Sequence, residues 1–140
     1  MNTHRRIAGV LETAVYVADL PRSVRFYRDV LGLPVMAGDD RFCAFDVAPG
    51  QVFLLFVKGT TLAPVRLSGG VIPPHDADGR IHVAFAVAAA DLPQWERRLH
   101  EHGVAVEGRV AWPKGGHSLY FRDPDGHLVE LATPGIWDNY

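Results

Sequence analysis

Residues 15–35 read VYVADLPRSVRFYRDVLGLPV, and residues 85–106 read FAVAAADLPQWERRLHEHGVAV. In both stretches an apolar run leads into Asp-Leu-Pro, a helix-like segment follows, and a glycine stops it. Asp19 and Asp91 stand 72 residues apart. A repeat of this length marks a supersecondary unit that cannot bury its apolar face alone. Two such units side by side can build a cleft, and the side chains entering it decide the chemistry.

Working outward, residues 10–18 (VLETAVYVA) alternate and are rich in valine, which predicts a strand. Asp19 suits an N-cap and Pro21 a first helical turn. Val24, Tyr27, Val30 and Leu31 recur at helical spacing, with Phe26 alongside, until Gly32. Strand-like segments follow near 33–38, 42–47 and 51–57, separated by turns at Asp39-Asp40 and Pro49-Gly50. Residues 58–80 show no period and read as a connection, either a flap over the cleft or a plain linker. The second unit opens with a strand at 81–88. A helix capped by Asp91 follows, with Leu92, Trp95 and Leu99 on one side, and ends at Gly103. Strands near 104–112, 117–122 and 127–132 complete it, with a type I turn at Asp123-Pro124-Asp125-Gly126. Each unit is strand, helix, three strands. The expectation is an α+β fold in a single domain over 8–135, with module 1 at 10–57 and module 2 at 81–132.

A chain of 140 residues suffices for one domain with a real core. The net charge is −2 and no basic block occurs, so nothing points to nucleic acid or an anionic membrane. Cys43 is the one cysteine, set in the apolar run FCAFDV; it reads as a core residue and rules out an intrachain disulfide. The N-terminal MNTHRRIAGV lacks the apolar region of a leader, and no run approaches the roughly 20 apolar residues of a membrane helix. The expected location is the cytoplasm.

Alternation on strands sets which residues share a face. Glu12, Ala14 and Tyr16 share one; so do His82, Ala84 and Ala86; so do Leu128, Glu130 and Ala132; so do Ser118, Tyr120 and Arg122. The alanines leave space beside Glu130 and His82, as a cavity wall needs. A carboxylate inside an apolar strand is costly unless it is paired or bound to metal. Taken singly, Glu12 also suits a solvated strand end, His82 a hydrogen-bonded structural role, and Tyr120 ordinary packing. His127 after the turn is expected to be exposed, and His117 to point away from the Ser118 face. His75 reaches a cleft only if its loop folds over, and His100 and His102 lie at the polar end of a helix. Trp112, Phe56, Tyr16 and Trp137 are candidates to line a substrate pocket.

VADLPRSVRFYRDVLGL, HVAFAV and GGHSLYFRDPDGHLVELATPG together resemble the vicinal oxygen chelate superfamily, which includes glyoxalase I, bleomycin-resistance proteins, fosfomycin-resistance enzymes and extradiol dioxygenases. The resemblance implies paired βαβββ modules forming curved mixed sheets around a cleft with one divalent metal ion (Fe, Mn, Ni or Zn). Family ligands come from the first strand of each module and the last strand of the second, which carries the role onto Glu12, His82 and Glu130. The family's residue at the first position is commonly His or Gln, so Glu12 is a departure. Glyoxalase I adds a glutamate where this chain has Leu54. Ser118 and Tyr120 match substrate contacts of the fosfomycin enzymes; Tyr16 and Phe56 join them as expected substrate-binding residues. Glu12, Glu130 and Tyr120 are the expected catalytic groups, the carboxylates as bases and Tyr120 as a hydrogen-bond donor.

The expected function is a metalloenzyme of isomerase or lyase type acting on a small substrate held through vicinal oxygens. The alternatives are an extradiol-type dioxygenase and a metal-free drug-binding protein of the bleomycin-resistance kind. The resemblance further implies a homodimer, with Glu12 meeting His82 and Glu130 either of the same chain or of another.

Overall fold

The computed structural model describes residues 5–140; the first four residues of the N-terminal stretch lie outside it. Module 1 contains β1 (Glu12–Val17), α1 (Leu20–Arg25), β2 (Val35–Gly38), β3 (Phe42–Ala48) and β4 (Gln51–Val57). A short hairpin follows, β5 (Val65–Leu67) with β6 (Gly70–Ile72). Module 2 contains β7 (His82–Ala86), α2 (Leu92–Glu101), β8 (Gly108–Ala111), β9 (His117–Arg122) and β10 (Leu128–Ala132). The α+β expectation of two βαβββ modules is borne out. Each module is a four-stranded mixed sheet of the same order, β1-β4-β3-β2 and β7-β10-β9-β8. The first strand of each is an edge strand, parallel to the last. Among the described residues no helix is long and apolar enough to cross a membrane.

Alternation divides each sheet into two faces. Val15 and Val17, Phe53 and Leu55, Leu119 and Phe121, and Val129 and Leu131 lie under the helices in one core shared by both modules. Cys43 is buried among them, as expected. The opposite faces stay open and carry Glu12, Ala14 and Leu54 in one module, and His82, Ala84 and Glu130 in the other.

The two helices begin differently for a reason of spacing. Asp19 caps α1, its Oδ1 accepting from the Arg22 N–H at 3.0 Å. Asp91 makes no such cap and sits in a 3₁₀ turn, Ala89–Asp91, that leads into α2. Asp19 follows Glu12 by seven positions, but Asp91 follows His82 by nine; the 3₁₀ turn takes up the extra pair. Beyond Arg25 the first helix widens into a π turn, Phe26–Val30. Its terminal carbonyls are met from the other module, where Arg98 donates from Nε to Val30 O at 2.7 Å and from Nη2 to Asp29 O at 2.8 Å. The expected strand at 104–112 is confined to Gly108–Ala111, and the periodless 58–80 contains the β5–β6 hairpin. Three-residue strands are too short to show a period.

The DPDGH turn of module 2 plugs into module 1 through buried polar groups. The Asp123 carboxylate accepts from Tyr27 Oη at 2.8 Å and from the backbone N–H groups of Asp125 and His127. Asp125 accepts from Ala18 N at 2.9 Å and from Ser23 Oγ at 3.2 Å. His127, expected to be exposed, is instead 1% exposed. Its Nδ1 accepts from Ile81 N–H at 3.0 Å, so the ring proton sits on Nε2 and is donated to Tyr16 O at 2.8 Å. Alternation along β10 puts position 127 on the face of Val129, which is the core face.

Tyr27 carries a testable consequence. Burial, and then the charge of Asp123, push its phenol well above the ordinary value of 10.0. A group whose folded pKa is raised contributes stability that is complete below its unfolded pKa and lost as pH rises past it. Urea midpoints should therefore fall above pH 10, and the fall should be shallower in Tyr27→Phe. Equal slopes for the two proteins would refute it.

Candidate metal and substrate site

The site begins with one register. Glu12 pairs with Val52 and Ala14 with Leu54; in the other module His82 pairs with Leu128 and Ala84 with Glu130. Glu12 and His82 thus hold equivalent places, and Leu54 holds the place of Glu130.

His82 and Glu130 meet. Nε2 of the imidazole lies 3.1 Å from Oε1 of the carboxylate, which is only 7% exposed. The other oxygen accepts from Ser118 Oγ at 2.6 Å, and Ser118 Oγ in turn accepts from Trp112 Nε1 at 2.8 Å. His82 Nδ1 donates to Leu128 O at 2.9 Å, which fixes a proton on that nitrogen. The lone-pair nitrogen Nε2 therefore faces an anionic oxygen. Two electron-rich atoms at that distance require a positive charge between them, either a second proton or a cation. A neutral imidazole whose far nitrogen donates to a carbonyl, beside a carboxylate held by a hydroxyl, is a donor set suited to a divalent metal.

Tyr120 stands next to the pair, its ring centroid 6.3 Å from that of His82. Burial, and then the charge on Glu130, hold its phenol above the ordinary range, so at neutral pH it is a hydrogen-bond donor rather than a base. Ser118 is buried; its hydroxyl is taken up between Trp112 and Glu130 instead of lying open to a substrate. The cleft around His82, Glu130 and Tyr120 measures ≈ 540 Å³.

Glu12 lies elsewhere. It lines a second cleft of ≈ 530 Å³ with Arg41, Leu54, Phe56 and His75. The connection does fold over this cleft, bringing His75 Nδ1 to the Tyr16 hydroxyl. Among the described residues, no three His, Cys, Asp or Glu side chains of one chain converge on a metal position. Within a single chain the three predicted ligands therefore fall into a pair and a single residue. Sequence reasoning missed Trp112 as the partner of Ser118, six positions away, because no strand period joins a loop tryptophan to β9.

A glyoxalase/bleomycin resistance protein/dioxygenase superfamily model matches residues 9–131. Metallothiol transferase FosB of Bacillus licheniformis is 30% identical over 136 residues, covering 96% of this chain and 81% of the relative. Glutathione transferase FosA of Serratia marcescens is 31% identical over 123 residues, covering 86% of this chain and 77% of the relative. The crystal structure of lactoylglutathione lyase from Agrobacterium tumefaciens superposes with a TM-score of 0.85 at 31% identity, covering 96% of this chain and 99% of that one. With the doubled register, the open faces and a match across nearly the whole fold, the chain belongs to the glyoxalase/bleomycin resistance protein/dioxygenase superfamily.

Proposed function

We propose that this protein is a divalent-metal-dependent enzyme acting on a small substrate held through two adjacent oxygens, with isomerase or lyase chemistry ahead of oxygenase chemistry. The metal is held by His82 and Glu130 of one chain and by Glu12 of a second copy. The observation that carries this reading is the His82–Glu130 pair at 3.1 Å, open to a cleft and, among the described residues, lacking a third donor in its own chain. Glu12, at the equivalent strand position, lines a cleft that is likewise open. Ahead of β1, Ile7 is 90% exposed and Val10 77%, an apolar arm suited to contact with another copy. The relatives named as a metallothiol transferase and a lactoylglutathione lyase support metal-assisted chemistry on a small substrate.

When bound, a divalent ion supplies Lewis acidity to a substrate oxygen. The chain's own groups do the rest. Leu128 O holds the His82 ring in the orientation that presents Nε2. Ser118 fixes one oxygen of Glu130, leaving the other directed at His82. Tyr120 donates a hydrogen bond to a substrate oxygen. A carboxylate of Glu12 or Glu130 accepts the proton that the substrate gives up.

Purified without chelator, the protein should carry one divalent ion per chain by elemental analysis. Glu12→Gln and Glu130→Gln should each lose it. A mixture of the two variants, allowed to exchange subunits, should recover about one quarter of the wild-type sites, because each mixed dimer keeps one intact set. No recovery would refute the shared site. Stoichiometric metal in Glu12→Gln alone would remove Glu12 from it. A metal-free wild type that takes no metal would favour the drug-binding alternative. Ser118→Ala should fold normally and bind Mn(II) about ten-fold more weakly, since outer partners of ligands tune affinity on that scale; unchanged affinity would show that the Ser118 bond to Glu130 is only structural.

A further inference from the structure

The cleft at His82 and Glu130 has walls that metal binding does not explain. Its floor is Ala84, Ala86 and Ala132, and its sides are the rings of Trp112, Trp137 and Tyr140. The last two come from the C-terminal tail, which is tied down at several points. Tyr140 Oη donates to Ala132 O at 2.9 Å. The Tyr140 carbonyl accepts from the N–H groups of Gly135, Ile136 and Trp137. The tail crosses the loop before β9 at a glycine pair, Gly116 N donating to Gly135 O at 3.0 Å. A Cβ on Gly116 would stand 2.7 Å from the Gly135 carbonyl carbon, and Gly135 has φ +101°, so neither position accepts a side chain without strain. On this fixed support Trp137 is left 71% exposed over the cleft.

The charges are as informative as the rings. Among the described residues no lysine or arginine lines this cleft, and Arg41 lines the Glu12 cleft. Two carboxylates would neutralise a divalent ion, leaving little positive field for a phosphonate or phosphate group. Flat apolar walls select a flat apolar ligand.

The geometry points to a substrate with an aromatic body, uncharged apart from the two adjacent oxygens that chelate the metal, its ring stacked on Trp137 within the Trp112–Tyr140 walls. This rests on the metal-site reading above and names the substrate class of that cleft.

The test uses full-length protein loaded with Mn(II), titrated with 2,3-dihydroxynaphthalene and, separately, with phosphoglycolate, and followed by calorimetry and tryptophan quenching. The diol should bind at least about ten-fold more tightly than phosphoglycolate, and Trp137→Ala should weaken the diol about ten-fold while leaving Mn(II) affinity by EPR unchanged. Phosphoglycolate binding as tightly as the diol would overturn the proposal, as would a Trp137→Ala variant with unaltered diol affinity. So would a change in sedimentation on Trp137→Ala without loss of diol binding, which would mean that the ring covers a second copy. If the wild type takes up no Mn(II), the metal reading fails separately. The metal-free protein titrated with 2-naphthol then still tests the aromatic wall, and equal binding by wild type and Trp137→Ala would end it.

Discussion

Replacing Glu130 with glutamine is expected to weaken Mn(II) binding by about 100-fold or more and to remove whatever turnover depends on the metal. The substitution keeps the shape of the side chain, so the packing on β10 is retained. What it removes is the negative charge facing His82 Nε2 at 3.1 Å. The amide oxygen can still accept from Ser118, so the buried hydroxyl does not lose its partner. Stability in urea should therefore shift by no more than about 1 kcal/mol while metal affinity collapses. An EPR titration of Mn(II) beside a urea melt separates the two effects. Wild-type affinity in this variant would show that the carboxylate serves only to pair with His82 and Ser118.

The second large effect is on folding. His127→Ala should cost about 3–5 kcal/mol, from one buried and one partly buried backbone group left unpaired and the space of the missing ring. The two groups are Ile81 N–H and Tyr16 O, one in each module. The loss is a large fraction of the stability of a typical domain, so the variant should melt at much lower urea or fail to accumulate. A surface histidine such as His100, changed in the same way, should move the midpoint little. A loss of under 1 kcal/mol at His127 would mean that water or a neighbouring group replaces the imidazole.

The repeat made the architecture legible. The period of 72 residues located both helices, and alternation put Val15, Val17, Val129 and Leu131 on the buried side and Glu130 on the open one. Glu130 stood out because an isolated carboxylate inside an apolar strand demands a partner. Other features were hidden for identifiable reasons. His127 follows a turn, and turn position outweighed the alternation that assigned it to the core. Asp91 has the same neighbours as Asp19, yet two additional residues ahead of it replaced the side-chain cap with a 3₁₀ turn. The separation of Glu12 from His82 and Glu130 depends on how two modules face one another, which no pattern within either module encodes. The tail rings over the cleft of His82 and Glu130 are fixed by the Gly116–Gly135 crossing, a contact between segments with no shared period.

The matching registers of β1 with β4 and of β7 with β10 also bear on redesign. Leu54 occupies, backbone for backbone, the place that Glu130 holds in the other half, and its side chain already lines the cleft of Glu12. Donor number is thus decoupled from main-chain geometry. A glutamate installed at that one position would enlarge the coordination shell with no strand rebuilt, so ligand count is a quantity that laboratory evolution can adjust one codon at a time.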